Sequence, residues 1–248
     1  MRIVIIGGSG LIGSRVVKRL ADLGHDAVAA SPSSGVDTLT GTGVRDVMEG
    51  ASVVVDVSNS PSFEDDAVMR FFQTSTRNLL SAEIEAGVNH HVALSVVGTE
   101  RLGESGYFRA KIAQEEQIRT SPIPYTIVHA TQFFEFLESL ATIQAVGDVV
   151  RVPPVWMQPM AADDVAAAVA NVAVQPPLQG TLEIGGPAPF RMNEIIERRL
   201  RAANDLRSVV IDPHARYSGA TLDERTLVPG PGARLGSIRF DDWLVANA

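Results

Sequence analysis

The stretch Arg2-Ile3-Val4-Ile5-Ile6 runs directly into Gly7-Gly8-Ser9-Gly10-Leu11-Ile12-Gly13. The first five residues are mostly apolar and β-branched, which is typical of a buried strand. Residues 14–23 then place apolar side chains at helical spacing. A strand, a glycine-rich turn and a helix in this order predict a dinucleotide-binding unit. The turn must be tight, must let backbone approach a pyrophosphate and must let the helix pack closely on the strand.

The start of this helix adds free N–H groups and the positive end of the helix dipole, both of which favour phosphate. The residues of this turn that we predict to bind the cofactor are Gly7, Ser9, Gly10, Leu11, Ile12 and Gly13.

Composition limits the classes of partner. The chain has 248 residues, a formal net charge of −8 and no cysteine. The negative charge argues against nucleic acid, whose phosphates would be repelled. The lack of cysteine excludes disulfides, thiolate zinc sites and a cysteine nucleophile. His90 and His91 are neighbours on a predicted strand and point to opposite faces, so we expect no metal site.

The chain also lacks the sequence features of a membrane or secreted protein. No apolar stretch reaches the roughly 18 residues that a membrane helix requires. Met1 lies almost directly before the first strand, which leaves no room for a signal peptide. We therefore expect a cytoplasmic protein that binds a small-molecule substrate, does not bind membranes and is a monomer or homodimer.

Strand and helix patterns alternate through the first half of the chain. The later predicted strands are Asp26–Ala30, Val36–Leu39, Ser52–Asp56, His91–Ser95 and Ile123–His129. The later predicted helices are Val44–Glu49, Glu64–Ala86 with Ser62 as its cap, and Tyr107–Thr120. This alternation predicts a Rossmann-type α/β fold, a doubly wound parallel sheet. From about Gln132 the pattern changes, so we expect a dinucleotide-binding domain at residues 1–131 and a smaller α/β substrate-binding portion at residues 132–248.

Tyr107 and Lys111 stand at positions i and i+4 of one predicted helix, so both project from the same face. A lysine ammonium close to a phenol favours the phenolate and lowers the pKa of the tyrosine. The lysine can also donate hydrogen bonds to the ribose of a bound nucleotide. Such a pair could move a proton to a carbonyl while a nicotinamide moves a hydride. A strand that ends at Ser95 comes twelve positions before Tyr107.

With these motifs the chain resembles the short-chain dehydrogenase/reductase superfamily, in the atypical, extended-like branch that contains the NmrA-like proteins. The resemblance covers most of the chain and rests on the glycine turn and on Thr76–Leu80, Tyr107–Lys111, Tyr125–Val128 leading into Thr131-Gln132-Phe133, and Gln158–Ala166. It implies that Tyr107 is the acid/base and that Lys111 is its partner and a ribose ligand. It also places Thr131 beside the cofactor.

Three positions depart from the pattern of that superfamily. Val97 stands where extended members usually carry a catalytic Ser or Thr. Ser95 is then either a shifted substitute or a strand-end serine against the nicotinamide. Phe72 replaces a structural asparagine, and His129-Ala130 replaces the usual Arg-Pro.

The choice of nicotinamide cofactor depends on the residues after the second strand. A carboxylate there would bind the 2′-hydroxyl of NAD and repel the 2′-phosphate of NADP. The segment Ala30–Gly35 has no acid and offers the hydroxyls of Ser31, Ser33 and Ser34, so we expect NADP rather than NAD. Asp56, Val57 and Ser58 follow the next buried strand and are predicted to pass beside the ribose or the pyrophosphate.

Two functions fit these features. The first is an NADP-dependent reductase of a small apolar carbonyl or quinone-like substrate, with an aromatic pocket lined by Phe63, Phe133, Phe134, Trp156 and Met157, although the same side chains could be ordinary core. The second is an NmrA-like protein that binds NADP(H) as a redox sensor without turnover. Sugar-nucleotide epimerisation is a third possibility, which the short second half of the chain disfavours.

Overall fold

The computed structural model describes residues 1–247. Its strands are β1 (Arg2–Ile6), β2 (Asp26–Ala30), β3 (Val53–Asp56), β4 (His90–Val96), β5 (Tyr125–Ala130), β6 (Ala145–Val146), β7 (Val149–Val152), β8 (Trp156–Met157), β9 (Gly180–Gly185), β10 (Phe190–Arg191), β11 (Ser208–Ile211) and β12 (Arg234–Leu235). Its α-helices are α1 (Leu11–Asp22), α2 (Val44–Met48), α3 (Asp65–Ala86), α4 (Gly106–Thr120), α5 (Leu137–Ile143), α6 (Ala162–Ala173), α7 (Met192–Ala202) and α8 (Phe240–Ala246).

Seven strands form the main sheet in the order β12-β9-β5-β4-β3-β1-β2. β1 pairs in parallel with both of its neighbours, so that Ile5 lies opposite Ala29 on β2 and Val55 on β3. Because the chain places β2 on one side of β1 and β3 on the other, the strand order reverses at β1. Ligands of such sheets bind at this reversal, beyond the carboxyl ends of the strands. The predicted Rossmann-type α/β fold is confirmed.

The strands at this reversal are apolar because helices cover both faces of a parallel sheet. All four residues of β3 are buried, and Ile3, Val4 and Ile5 of β1 have no exposed surface. On one face, Val4 and Val54 belong to a core cluster with Met48 of α2 and Leu79 of α3. This packing fixes the carboxyl ends of β1 and β3 and therefore the loops that follow them.

The described residues pack into two compact units. Unit 1 comprises Met1–Ser95, Gly106–His129 and Val165–Leu182. Unit 2 comprises Val96–Ser105, Ala130–Asp164 and the described residues from Glu183 onward. The sequence-based domain division at residue 131 instead assigns Val165–Leu182 to the second part of the chain.

Unit 2 has two small sheets and an aromatic core. β11, β7 and β6 form one sheet, and β10 pairs with β8 in the other. The ring of Phe134 lies 5.1 Å from that of Phe240 and 5.5 Å from that of Trp243, measured between centroids. Phe134 is 1% exposed and Met157 is 0% exposed, so these two members of the predicted aromatic pocket are core residues.

The predicted strand Val36–Leu39 is wrong. The Asp37 carboxylate accepts hydrogen bonds from the backbone N–H of Leu39 at 2.8 Å and of Thr40 at 3.3 Å. An aspartate whose carboxylate accepts from the backbone N–H groups that follow it favours a turn over a strand.

The predicted helix after Ser62 is confirmed, but its N-cap is Glu64. Within residues 1–247, no helix is long and apolar enough to cross a membrane.

Candidate functional site

The glycine turn after β1 has the geometry that a phosphate-binding loop needs. Gly7 has a φ of +78°, which favours glycine, and its N–H donates to Ala30 O at 2.9 Å. A Cβ on Gly13 would overlap the backbone carbonyl of Gly7. A Cβ on Gly10, by contrast, would meet one protein atom within 4 Å, Gly7 O at 3.3 Å. Gly7 and Gly13 therefore shape the turn, whereas Gly10 leaves its surface open for close approach.

The first turn of α1 suits an anionic ligand. The N-cap of this helix is Gly10, and its first turn holds no acidic residue. The first N–H groups of a helix have no partner within the helix and carry its positive dipole end. Leu11 is 38% exposed and Ile12 is 6% exposed, so backbone N–H groups, together with Ser9, are what this turn can offer to a phosphate.

The serine segment after β2 forms a tight turn. Ser31 caps a 3₁₀ turn at Pro32–Ser34. The Ser34 hydroxyl accepts from Ser31 N–H at 3.0 Å and donates to Ser31 O at 2.9 Å. The hydroxyls of Ser31 and Ser33 lie 2.8 Å apart. Ser34 thus stabilises the turn, while Ser31 and Ser33 form a neutral hydroxyl pair.

Asp56, at the end of β3, is buried and fully engaged. Its Oδ1 accepts from Ser58 N–H at 2.9 Å and from Ser58 Oγ–H at 2.6 Å. Its Oδ2 accepts from Gln114 Nε2–H at 3.1 Å. The side chain is therefore a structural link between β3 and α4, and Val57 follows it with its N–H bonded to Ile6 O at 3.1 Å.

Tyr107 lies in the first turn of α4, in an aromatic cluster of unit 1. Its half-buried ring lies 5.8 Å from the ring of Phe63 and 6.0 Å from that of Phe72, between centroids. The Asp65 carboxylate occupies the place that a Cβ on Gly106 would take, and it accepts from Arg109 Nη2 at 2.7 Å. Phe63 is 64% exposed, so the cluster has one face open to solvent.

Lys111 lies one turn after Tyr107 and is 2% exposed. Its Nζ donates to Leu94 O at 3.0 Å and to Gln114 Oε1, and lies 4.5 Å from the centroid of the Phe72 ring. Burial lowers the pKa of Lys111 to about 8, although the charges of Asp56 and Glu115 oppose that effect. Three groups of the protein therefore contact the ammonium of Lys111.

Ser95 belongs to a buried cluster around Glu115. Its Oγ–H donates to Glu115 Oε1 at 2.5 Å, and His129 Nε2 lies 2.9 Å from the same oxygen. Arg119 Nη2 donates to Glu115 Oε2 at 2.7 Å. Burial raises the pKa of Glu115, but hydrogen bonds from His129 and Ser95 and the charges of His129 and Arg119 outweigh it and leave that pKa lowered. Ser95 could donate to a substrate only by leaving this carboxylate.

Three further predicted residues lie in unit 2. Thr131 is 1% exposed and its hydroxyl donates to Gln158 O at 2.7 Å. Phe133 is half-buried, with its ring centroid 5.9 Å from that of Phe136. The guanidinium of Arg191 lies 4.3 Å above the Trp156 ring.

A cavity of about 240 Å³ in unit 2 contains none of the predicted site residues. It is lined by Pro153, Pro154, Val155, Pro213, Ala215, Thr221, Leu222 and Glu224. Across residues 1–247, no group of three or more His, Asp or Glu side chains is arranged to hold a metal ion.

Gln114 and Glu115, which hydrogen-bond to Lys111 and Ser95, were not among the predicted site residues. The signal was present, because positions i+3 and i+4 after Lys111 share its helix face and are polar where a sheet-facing helix is expected to be apolar. The sequence does not reveal their partners, which come from β3, β4 and β5.

Comparisons with known proteins agree with this geometry. The profile of the NAD(P)H-binding family matches residues 7–176. No curated protein gives a significant match. A short-chain dehydrogenase/reductase superfamily protein from Agrobacterium tumefaciens, solved with NAD, has a TM-score of 0.74 at 18% identity, over 99% of this chain and 95% of that chain. The dTDP-4-dehydrorhamnose reductase of Bacillus anthracis, solved with NADP, has a TM-score of 0.68 at 15% identity, over 100% of this chain and 92% of that chain.

A sugar-nucleotide epimerase also shares the fold. The UDP-glucose 4-epimerase of Thermus thermophilus, solved with NAD, has a TM-score of 0.74 at 17% identity, over 98% of this chain and 96% of that chain. Reductases and a sugar-nucleotide epimerase therefore share this fold.

The family profile covers the glycine turn, the serine segment and the whole of α4, and it extends over more than half of the sequence. The glycine turn lies at the reversal of strand order, where sheets of this kind bind their ligands. The chain belongs to the NAD(P)H-binding family and has the fold of an atypical short-chain dehydrogenase/reductase.

Proposed function

We propose that this protein is an NADP-dependent oxidoreductase that reduces a small apolar carbonyl or quinone-like substrate. The observation that carries the proposal is the position of Tyr107 and Lys111 on α4. Tyr107 is half-buried against the exposed ring of Phe63, and Lys111 is a buried cation one turn away. Both residues belong to unit 1, which also contains the glycine turn.

The cofactor would be held at two places in unit 1. The N–H groups around Gly10 and the start of α1 would bind the pyrophosphate, because this turn is open and free of acid. The hydroxyls of Ser31 and Ser33 would donate to a 2′-phosphate. Proteins of this fold have been solved with NAD and with NADP, so the preference for NADP rests on this serine pair.

The proposed chemistry uses Tyr107 as a general acid. When bound, a reduced nicotinamide would supply a hydride to the carbonyl carbon of the substrate. Tyr107 would donate its hydroxyl proton to the carbonyl oxygen, so that a new O–H bond forms and the C=O bond becomes single. The charge of Lys111, one helical turn away, favours the phenolate that this transfer leaves behind. Ser95 would contribute a second donor only if it exchanged its bond to Glu115.

The apolar substrate class rests on the rings beside Tyr107. Phe63 and Phe72 flank the phenol within unit 1. Aromatic surface of this kind favours flat or apolar molecules over sugars, which need many hydrogen-bond partners.

The test is a screen for NADPH consumption with quinones and aldehydes, followed by Tyr107→Phe. This variant keeps the ring and its packing but lacks the transferable proton. Turnover should fall about 10²–10⁴-fold, the usual contribution of a positioned acid, while the Kd for NADPH should change little. Full activity of Tyr107→Phe would refute the assignment of Tyr107.

The screen also separates the other candidate functions. A redox sensor would bind NADPH tightly and consume none with any substrate, but the related structures include reductases and epimerases, which does not favour a sensor. An epimerase would return the hydride to its substrate, so it would convert a nucleoside diphosphate sugar without net use of NADPH. Product analysis with UDP-glucose tests that possibility directly.

A further inference from the structure

Lys111 is an exceptional residue in this chain. The sequence has 21 basic residues, and Lys18 and Lys111 are its two lysines. Lys18 lies on α1 with a side chain that is 75% exposed, and it pairs with Asp22 at 2.6 Å. Lys111 is 2% exposed. Arginine stays charged at any ordinary pH, whereas a buried lysine can lose its proton. The cation beside Tyr107 is therefore one that can titrate.

An ammonium group has three N–H donors, and the protein supplies three acceptors for Lys111. These are the carbonyl of Leu94, the amide oxygen of Gln114 and the face of the Phe72 ring. Gln114 is 2% exposed and has its other amide atom bonded to Asp56. A carboxylate only accepts and an ammonium only donates, so these partners fix the orientation of the amide.

We propose that Gln114 is a positioning residue of this site. Its amide links the Asp56 carboxylate to the Lys111 ammonium by two hydrogen bonds and so keeps this buried ammonium protonated, one helical turn from Tyr107. The proposal deepens the proposed function, since it concerns the lysine on which that function depends. Gln114 itself touches neither substrate nor cofactor in this scheme.

The charged groups around Lys111 support this role. Asp56 on β3 acts on Lys111 directly and through Gln114. Glu115 on α4 also acts on it, and this carboxylate is itself paired with Arg119 on α4 and hydrogen-bonded to His129 on β5. α3 contributes the uncharged ring of Phe72, and Tyr107 lies one turn earlier on α4. The Gln114 amide is thus the hydrogen-bonded path from an anion to the ammonium.

The experiment is a direct titration of Lys111 by NMR in the full-length protein. With ¹³C-labelled lysine, the ε-carbon spectrum contains two residues, and Lys18 serves as the exposed internal reference. The ε-carbon of Lys111 should titrate near pH 8 in the wild type. In Gln114→Leu its acid dissociation constant should rise about tenfold to a hundredfold, the equivalent of one lost hydrogen bond to a charged group.

A second variant covers the case in which Gln114→Leu fails to fold. Gln114→Met is close to glutamine in length but lacks both amide atoms, so it can neither accept from the ammonium nor donate to Asp56. The titration of Lys111 should therefore again move to lower pH. Gln117→Leu is the matched control, because Gln117 is a half-buried glutamine on the same helix, and it should leave the titration unchanged.

Lys111 titrating at the same pH in the wild type and in every folded Gln114 variant would overturn the proposal. The NMR result needs neither substrate nor turnover, so it stands even if the reductase assay fails. If a substrate is found, the fall of kcat at high pH should move with the NMR titration in each variant. A structural defect alone would lower kcat without shifting that pH limit.

Discussion

A side chain added at Gly13 should lower the stability of the fold, whereas one added at Gly10 should lower the affinity for nucleotide. A Cβ on Gly13 overlaps the Gly7 carbonyl and lies 2.8 Å from Gly8 Cα, and both are backbone groups that cannot move aside cheaply. Gly13→Ala should therefore destabilise the fold by about 1–3 kcal/mol, the usual cost of overpacking. For a domain of this size that is a fall of roughly 2–12 °C in Tm.

Gly10→Val should instead leave the fold nearly intact and abolish most nucleotide binding. The Cβ meets Gly7 O at 3.3 Å, and the Gly10 backbone (φ −80°, ψ −178°) is one that any residue can adopt. The loss of stability should stay within about 1 kcal/mol. The Kd for NADPH should rise roughly a hundredfold, which corresponds to two lost hydrogen bonds to a charged group at about 1.5 kcal/mol each.

Two assays separate these effects: urea unfolding followed by circular dichroism, and titration of NADPH fluorescence. Gly180→Val is a suitable control, because a Cβ there meets its nearest neighbour, Leu178 O, at an ordinary 3.7 Å. Unchanged NADPH affinity in a folded Gly10→Val protein would refute the assignment of this turn as the phosphate-binding loop.

Two further predictions concern cofactor choice and pH. Ser31→Asp should reverse or erase a preference for NADPH over NADH, because a carboxylate repels the 2′-phosphate; equal wild-type affinities for the two cofactors would show that the serine pair plays no part. Burial, with a smaller effect from His91, lowers the pKa of His90 to about 4, so the unfolded chain takes up a proton that the folded protein does not as the pH falls from 6.5. Stability should therefore fall from pH 6.5 to 5 and fall less in His90→Gln, measured by urea midpoints; parallel curves for the two proteins would contradict this. Burial lowers the pKa of His91, but the charge and hydrogen bond of Glu83 outweigh that and raise it, so His91 acts on stability in the opposite direction. His91 is present in both proteins, so the difference between the wild type and His90→Gln reports on His90.

The local parts of the fold could be predicted from the sequence. The strand, turn and helix over residues 2–22 follow from side-chain patterning and glycine spacing within one short segment. The end of α3 at Gly87 was signalled in the same way, since Gly87 has a φ of +70°. The segment Val36–Leu39 was mispredicted because the turn that Asp37 stabilises outweighs the strand preference of the β-branched residues Val36 and Thr38.

The aromatic pocket shows where composition misleads. Phe134 and Met157 have the apolar side chains that a substrate pocket needs, but the same side chains suit a core equally well. Phe134 packs against Phe240, which is far away in the sequence, and this contact removes it from any surface. Phe63, by contrast, is 64% exposed beside Tyr107. Burial, rather than residue type, separates the two.

The polar face of α4 is the part of the site that local patterning could not specify. A helix packed on a parallel sheet normally buries an apolar stripe, yet α4 buries Lys111, Gln114 and Glu115. The free-energy cost of burying these charges without partners would exceed the stability of a typical fold, so each group must be paired. The partners are Asp56, Ser95 and His129, at or near the carboxyl ends of three different strands. Apolar side chains would fill the same space without this requirement. The stability given up to keep the network is therefore best explained by its effect on the charge next to Tyr107, which is where sequences are expected to depart from simple packing rules.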